Sequence, residues 1–407
     1  MLLIEGGIAL DPVLLKEGIY WVGAVDWDMR YFHGPVLGTH RGTTYNSYLI
    51  VDEKITLVDT VYTPFAGEML ERIRKIVDPS RIDYIVINHV EVDHSGALPE
   101  VMKLAPQAKI FCSAKGKAGL LKHYYGDWDY QVVETGTTLS LGKRSLSFIE
   151  APMLHWPDSM FTYLPEEALL MPNDAFGQHL ASAFRFDDQV DNRIIMEEAA
   201  RYYANILYPL SRLVLKKLEE VKAMNIPIAM IAPSHGVIWR QNPGQIIEAY
   251  QRWASGEWFP KAVVVYDTMW GSTAAMARAI VEGIVSEDVD TRLFKISVRD
   301  INSIITELLE ARLLVVGSPT INRGYLSVLS PFLDDLAGLK PVNRLGAAFG
   351  SYGWSKGAVK AIEAKLEAAG LTLAGEGLEI LWVPDSGELE SCREWGRALA
   401  RKVKAEL

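Results

Sequence analysis

Residues 82–87, an apolar run interrupted only by Asp83, lead into His89-Val90-Glu91-Val92-Asp93-His94. Four potential metal-binding side chains packed at the end of a strand put a metal site on the rim of a sheet. Three further candidates close later apolar runs: His155 after 146–149, Asp174 after 168–171 and His235 after 226–232. The fold must therefore gather loops from distant strands onto one edge. A zinc site takes three or four protein ligands. Four imidazoles with three carboxylates exceed that and predict two metal ions.

The mixture of ligands also speaks to the metal. Imidazole suits zinc, copper, iron and nickel alike, whereas added carboxylates favour harder ions. Two ferrous ions carry four positive charges, which three carboxylates and one bridging hydroxide balance; iron is the expectation. Taken singly, His155 and His235 are ordinary loop histidines, and Pro172-Asn173-Asp174 is a turn sequence. The dense cluster, followed by Ser95-Gly96-Ala97 and a helical stretch, makes ligands of them as well.

Length and composition limit the alternatives. A chain of 407 residues with 49% hydrophobic content has room for two full-sized cores. Its net charge of −10 argues against nucleic acid, whose phosphates need clustered Lys and Arg. Cys112 and Cys392 are far apart and form no Cys-x-x-Cys, so neither a disulfide framework nor a thiolate metal site is expected. Met1-Leu2-Leu3-Ile4-Glu5 lacks a cationic leader, and no window reaches the ~18 apolar residues of a membrane helix. A cytoplasmic protein, away from membranes, is the expectation.

Two patterns share the chain. In the first, β-branched and aromatic runs at 43–51 and 55–59 flank a short turn and predict a hairpin; a helical stretch at 65–77 follows. This alternation predicts a two-sheet core with helices outside. Residues 252–260, containing Gly256 and Pro260, break the rhythm and read as a linker. Beyond it, short apolar runs at 262–266, 313–317, 346–349 and 378–382 alternate with helical stretches, the pattern of a doubly wound parallel sheet. The expected domains are 1–255 and 256–407.

Three loops of the second pattern suit a nucleotide. Thr268-Met269-Trp270-Gly271-Ser272-Thr273 joins a strand to a helix predicted over 274–281, where hydroxyls and free N–H groups form an anion site. Neither Gly-Lys-Ser/Thr nor Gly-x-Gly-x-x-Gly is present, which excludes a triphosphate loop and weighs against a dinucleotide. Pro319, Thr320, Asn322 and Gly324 in one later loop, and Ser351, Tyr352, Gly353 and Trp354 in another, also follow strands. Aromatic faces suit a planar ring, and glycines allow close approach. Flavin mononucleotide (FMN) satisfies all three loops.

Together these features resemble the flavodiiron proteins, also called A-type flavoproteins, over essentially the full length. The resemblance is carried by His89-x-Glu91-x-Asp93-His94, His155 with Trp156-Pro157-Asp158-Ser159, Asp174, Ser234-His235-Gly236 and the 268–273 loop. It implies an α/β fold: a metallo-β-lactamase-like αββα sandwich followed by a flavodoxin-like doubly wound parallel sheet. It implies one iron on His89, Glu91 and His155, the other on Asp93, His94 and His235, with Asp174 bridging. Reduction of dioxygen to water, of nitric oxide to nitrous oxide, or both, is the implied activity. A head-to-tail homodimer or dimer of dimers is implied too. Electrons would come from an external donor such as rubredoxin or a reduced deazaflavin, since the chain carries no Cys-x-x-Cys of its own.

Phe32-His33-Gly34 and Tyr202-Tyr203 resemble family segments near the gas pocket, which makes His33 and Tyr202 candidates for hydrogen bonding to substrate. Asp59 or Asp158 could orient a ligand histidine. His40, His123 and His179 receive no role. Lys109, Lys115, Lys117, Lys122, Lys356 and Lys360 could steer an acidic donor or simply form solvated faces. A zinc hydrolase of the same fold is the rival reading; it resembles His-x-His-x-Asp-His, whereas Glu91 stands at the second histidine. A flavodoxin-like electron carrier with a structural metal domain would leave the seven candidate ligands unexplained.

Overall fold

Neighbouring apolar residues on a strand point to opposite faces, and the first half of the chain uses both. The computed structural model describes residues 11–34 and 37–406, so Met1–Glu5 and Leu407 lie outside it. Strands Tyr48–Ile50, Thr56–Val58, Tyr84–Val86 and Lys109–Cys112 are successive members of a seven-stranded sheet. Leu49, Leu57, Ile85 and Ile110 face a core shared with Met69 and Ile73 of helix Ala66–Arg74 and Val101 of helix Leu98–Leu104. Their neighbours Ile50, Val58, Val86 and Phe111 face the opposite core. There they meet Phe148, Met160, Leu169 and Met230 from a five-stranded sheet. The result is a sheet-on-sheet sandwich with helices outside. Each such buried side chain contributes about 1.5–3 kcal/mol.

The predicted 43–51 strand is broken in two. Thr43–Tyr45 pairs with Ala24–Asp26, while Tyr48–Ile50 forms the expected hairpin with Thr56–Val58. Asn46 causes the break: its amide donates to the carbonyls of Pro233 (2.8 Å) and Gly236 (3.0 Å), and its oxygen accepts from Trp21 Nε1 (2.8 Å). These bonds tie the broken strand to the loop that carries His235.

In the second half, strands Phe259–Tyr266, Ala311–Gly317 and Leu345–Tyr352 pair in parallel, with Leu378–Leu381 beyond them. These are the four runs read from sequence. A further strand, Asp290–Lys295, escaped notice because it is a largely polar edge beside Phe259–Tyr266. The expected linker at 252–260 is mostly regular structure. Helix Pro243–Ser255 enters it and strand Phe259–Tyr266 leaves it, so only residues 256–258 connect them. Pro260, which has no N–H to donate, coincides with a register shift between Phe259 and Ala262.

The chain forms two compact units. One runs up to Tyr202 and takes in Leu213–Tyr250; the other comprises Tyr203–Arg212 and everything from Gln251 onward. The short segment is held within the second unit. Asn302 donates to Asn205 Oδ1 at 3.0 Å, the Tyr203 hydroxyl lies 2.9 Å from Ser211 Oγ, and the Tyr203 ring lies 5.4 Å from that of Trp253. Among the described residues no helix is long and apolar enough to cross a membrane.

Candidate metal centre and ligand loops

All seven candidate ligands meet at the rim of the sandwich. His89, Glu91, Asp93 and His94 follow strand Tyr84–Val86 of the larger sheet. His155, Asp174 and His235 follow strands Ser145–Glu150, Leu169–Met171 and Met230–Ile231 of the smaller one. Ligand atoms of His89, His155 and Asp174 lie within 4.8 Å of one another, as do those of Asp93, His94 and His235. Glu91 Oε2 lies 3.3 Å from His89 Nε2 and 3.5 Å from His155 Nε2. Asp174 belongs to both groups: Oδ1 is 3.1 Å from His94 and 3.5 Å from His235, and Oδ2 is 3.4 Å from His155 and 3.8 Å from His89.

The surrounding hydrogen bonds fix which imidazole nitrogen faces inward. His235 Nδ1 lies 2.6 Å from the Thr44 carbonyl, which can only accept, so Nδ1 carries the proton and Nε2 presents a lone pair. His89 Nδ1 likewise donates to Asp158 Oδ2 at 3.0 Å. Histidines that bind metals are held in this way. Both carboxylate oxygens of Asp93, both ring nitrogens of His94, Asp174 Oδ2 and His235 Nε2 are buried without hydrogen-bond partners among the described residues. Buried polar atoms rarely stay unpaired, and such a concentration of lone pairs and negative charge fits cations.

Electrostatics point the same way. Burial disfavours ionised Asp174, yet His94 and His155 outweigh it and hold the carboxyl well below its usual range. Burial also opposes a charged His94 or His155, but Asp93 and Asp174 beside the first, and Asp174 and Glu91 beside the second, push each to about 9. The site demands positive charge, whether from protons or from metals.

Of the two pocket candidates, His33 places Nε2 2.8 Å from Glu91 Oε1. Tyr202 is buried with its ring 6.2 Å from His235. Burial, with Asp174 next, raises the Tyr202 hydroxyl well above its ordinary value, so it stays protonated. Tyr203 points elsewhere and packs in the second unit. His179, given no role by sequence, is buried beside this centre: its Nδ1 lies 2.9 Å from Thr43 Oγ1 and its ring 4.9 Å from His235 and 4.6 Å from Phe32. Burial, then His235, keeps its imidazole neutral. Its place in the loop after Asp174 hints at proximity to that residue, but its contact with His235 is set by the fold.

Asp158 orients His89, as considered; Asp59 does something else. It accepts from the Asn88 backbone at 2.7 Å, Asn88 Nδ2 at 2.9 Å and Asn173 Nδ2 at 3.1 Å, bracing the residues that precede His89 and Asp174. His123 lies beside Tyr124, and His40 is exposed.

In the second unit the three loops follow parallel strands. Helix Ser272–Val285 starts earlier than the predicted 274, and no side chain caps its N-terminus, leaving the first-turn N–H groups available to an anion. Thr268 Oγ1 accepts from Gly271 N at 3.1 Å, and Thr273 Oγ1 lies 3.0 Å from Ser351 Oγ. Thr320 N donates to Ser351 O at 2.8 Å, joining the second loop to the third. Ile321 and Gly324 exchange backbone bonds across Asn322 and Arg323, both left-handed, in a tight hairpin turn. Trp270 and Trp354 are 95% and 91% exposed, indoles with open faces rather than core residues. Lys356 leans over the Tyr352 ring and pairs with Glu379 at 3.1 Å; Lys117 and Lys122 lie over Tyr130 and Tyr125.

Comparison with known proteins agrees with this architecture. Residues 43–236 match the model of the ODP family beta lactamase, and residues 264–396 match that of flavodoxin. A nitric oxide reductase of Moorella thermoacetica is 57% identical over 395 residues, covering 97% of this chain and 99% of that protein. The structure of rubredoxin oxygen:oxidoreductase from Desulfovibrio gigas superposes with a TM-score of 0.95 at 38% identity, over 97% of this chain and 99% of that one. The flavodiiron protein of Giardia intestinalis superposes with a TM-score of 0.93 at 35% identity, over 97% of both chains. With a metallo-β-lactamase-like sandwich ending in these seven side chains and a flavodoxin-like sheet after it, the chain belongs to the flavodiiron protein family.

Proposed function

We propose that this chain reduces nitric oxide to nitrous oxide, and dioxygen to water, at two irons supplied with electrons through FMN. One observation carries the reading: the two oxygens of Asp174 face different imidazoles, 3.1 Å from His94 and 3.4 Å from His155. A carboxylate so placed suits two adjacent cations. His89, Glu91 and His155 would hold one iron, Asp93, His94 and His235 the other, and Asp174 would bridge them. The loop 268–273, with Pro319, Thr320, Asn322, Gly324 and residues 351–354, would hold FMN. When bound, the irons would supply the redox-active positions for the gas and the flavin would relay electrons.

The protein's own part is placement. Asp158 and the Thr44 carbonyl lock His89 and His235 with Nε2 inward. The protonated Tyr202 hydroxyl can donate a hydrogen bond to substrate, while Phe32 and neutral His179 pack against His235. Nitric oxide is placed first because the relative at 57% identity is named for it. Residues 1–255, less Tyr203–Arg212 and Gln251–Ser255, which pack in the second unit, would form the metal domain and the remainder the flavin domain, in a cytoplasmic head-to-tail homodimer or dimer of dimers. Such pairing would let one copy's flavin serve its partner's irons, with rubredoxin or a reduced deazaflavin as donor. A zinc hydrolase is disfavoured by Glu91 and by the attached flavodoxin-like sheet.

Metal analysis and a visible spectrum of purified protein test the reading. Iron with bound flavin, followed by reoxidation of the anaerobically reduced protein by nitric oxide with release of nitrous oxide, is the expected result. Separate mixing with dioxygen ranks the two gases. Zinc without flavin would sink the proposal.

A further inference from the structure

Trp382, in the loop after strand Leu378–Leu381, belongs to none of the three loops that follow the flavodoxin-like pattern. Its backbone is left-handed, with φ of +61°, a conformation that bulky side chains rarely adopt. Strained residues persist where surrounding structure over-determines them, and they cluster at functional sites. Here the determinants are visible. Tyr352 pairs with Leu381 in the sheet register, and the next N–H, that of Trp382, donates to the Tyr352 carbonyl at 2.7 Å. The indole then lies back across Gly353, where a Cβ would stand 2.8 Å from two of its ring carbons. It ends with its centroid 6.4 Å from the Trp354 ring at 55°, within the range of tilted aromatic contact.

Three features therefore converge on one contact. Gly353 leaves the space, Trp382 adopts the costly backbone, and the Tyr352 carbonyl holds it there. The beneficiary is Trp354, 91% exposed and otherwise free to change rotamer. Trp382 is itself 59% exposed, so hydrophobic burial does not account for the arrangement. Ordering a free side chain on binding carries an entropic cost, which pre-positioning removes.

We propose that Trp382 is a positioning residue for the flavin: it braces Trp354 across Gly353, so that the Trp354 indole is a preformed wall for the isoalloxazine ring. The inference rests on the FMN reading above. It concerns the ring and not the phosphate, which the 268–273 loop would hold.

FMN binding to flavin-depleted full-length protein, followed by flavin fluorescence, tests it with Trp382→Ala, Trp382→Phe, Trp354→Ala and the double variant. Trp382→Ala should raise the Kd for FMN, and equally that for riboflavin, by about tenfold, or ~1.4 kcal/mol. Trp382→Phe should recover most of the loss, and the midpoint potential of bound flavin should shift in the Ala variant and return in the Phe variant. In the Trp354→Ala background, Trp382→Ala should have no further effect. An unchanged Kd in Trp382→Ala, or an equal loss with Trp354 already removed, would overturn the proposal. Wild-type protein with no affinity for FMN would instead overturn the reading beneath it. Circular dichroism confirms that each variant is folded; if Trp382→Ala fails to fold, Trp354→Ala decides the matter, since an unchanged Kd for FMN there would overturn the proposal and a raised one would support it.

Discussion

The Asp158 carboxylate accepts from His89 Nδ1 at 3.0 Å and from the Val90 backbone at 2.8 Å. Burial disfavours its ionised form, but these bonds and the charge of His89 hold its pKa below the usual value. One buried carboxylate thus sets both the tautomer of a candidate ligand and the path of the loop that carries three more.

Asp158→Asn keeps the size and, because both bonds end on one oxygen, its amide oxygen can still meet both donors, but it loses the charge. Supporting groups of this kind contribute about 10–100-fold to metal affinity. Metal content after a timed chelator challenge should fall by that order, with little change in the circular dichroism spectrum. Retention equal to wild type would show that His89 orients itself.

Removing the metals should make stability depend on alkaline pH. His94 and His155 rise from the usual 6.5 to about 9 in the folded chain. A pKa raised by folding stabilises the native state below the unfolded value, and that contribution disappears as pH climbs through the folded value. Metal-free protein should therefore melt lower at pH 9.5 than at pH 6.5, with the loss developing between them. Metal-loaded protein should lose less over that interval, because a cation holds the lone pairs. Parallel thermal melts of the two forms decide it.

Tyr202→Phe preserves the buried ring and deletes the hydroxyl. Metal content should stay at the wild-type level while the turnover rate with the gas falls about tenfold, the loss of ~1.4 kcal/mol of transition-state stabilisation. Equal rates in both proteins would assign Tyr202 to packing alone.

Arg344 is a stability determinant remote from any ligand chemistry. It is fully buried and donates to the carbonyls of Gly256, Glu257, Leu308, Leu309, Val342 and Asn343. Arg344→Met fills similar volume but orphans those acceptors, each costing about 1–3 kcal/mol if left dry. Urea denaturation should show a loss of at least ~3 kcal/mol. A loss below 1 kcal/mol would mean that water replaces the guanidinium.

Local order was written plainly in the residues. His89, Glu91, Asp93 and His94 declared themselves by adjacency, and His155, Asp174 and His235 by standing at strand ends, because a strand delivers whatever follows it to a sheet rim. The parallel sheet of the second half was equally legible, since strands covered on both faces read as apolar runs. Long-range pairing was not. Nothing local marks His179 as a neighbour of His235, sends Asn46 to the Pro233 carbonyl, turns Asp59 toward Asn88 and Asn173, or moves Tyr203 into the second unit while Tyr202 stays beside His235. Nor does the sequence say that Trp382 bends back over Gly353. Periodicity and ligand spacing are properties of neighbouring residues and survive in the one-dimensional text. Which buried donor meets which acceptor depends on how far-separated segments satisfy one another once water is excluded, and only the folded chain decides that.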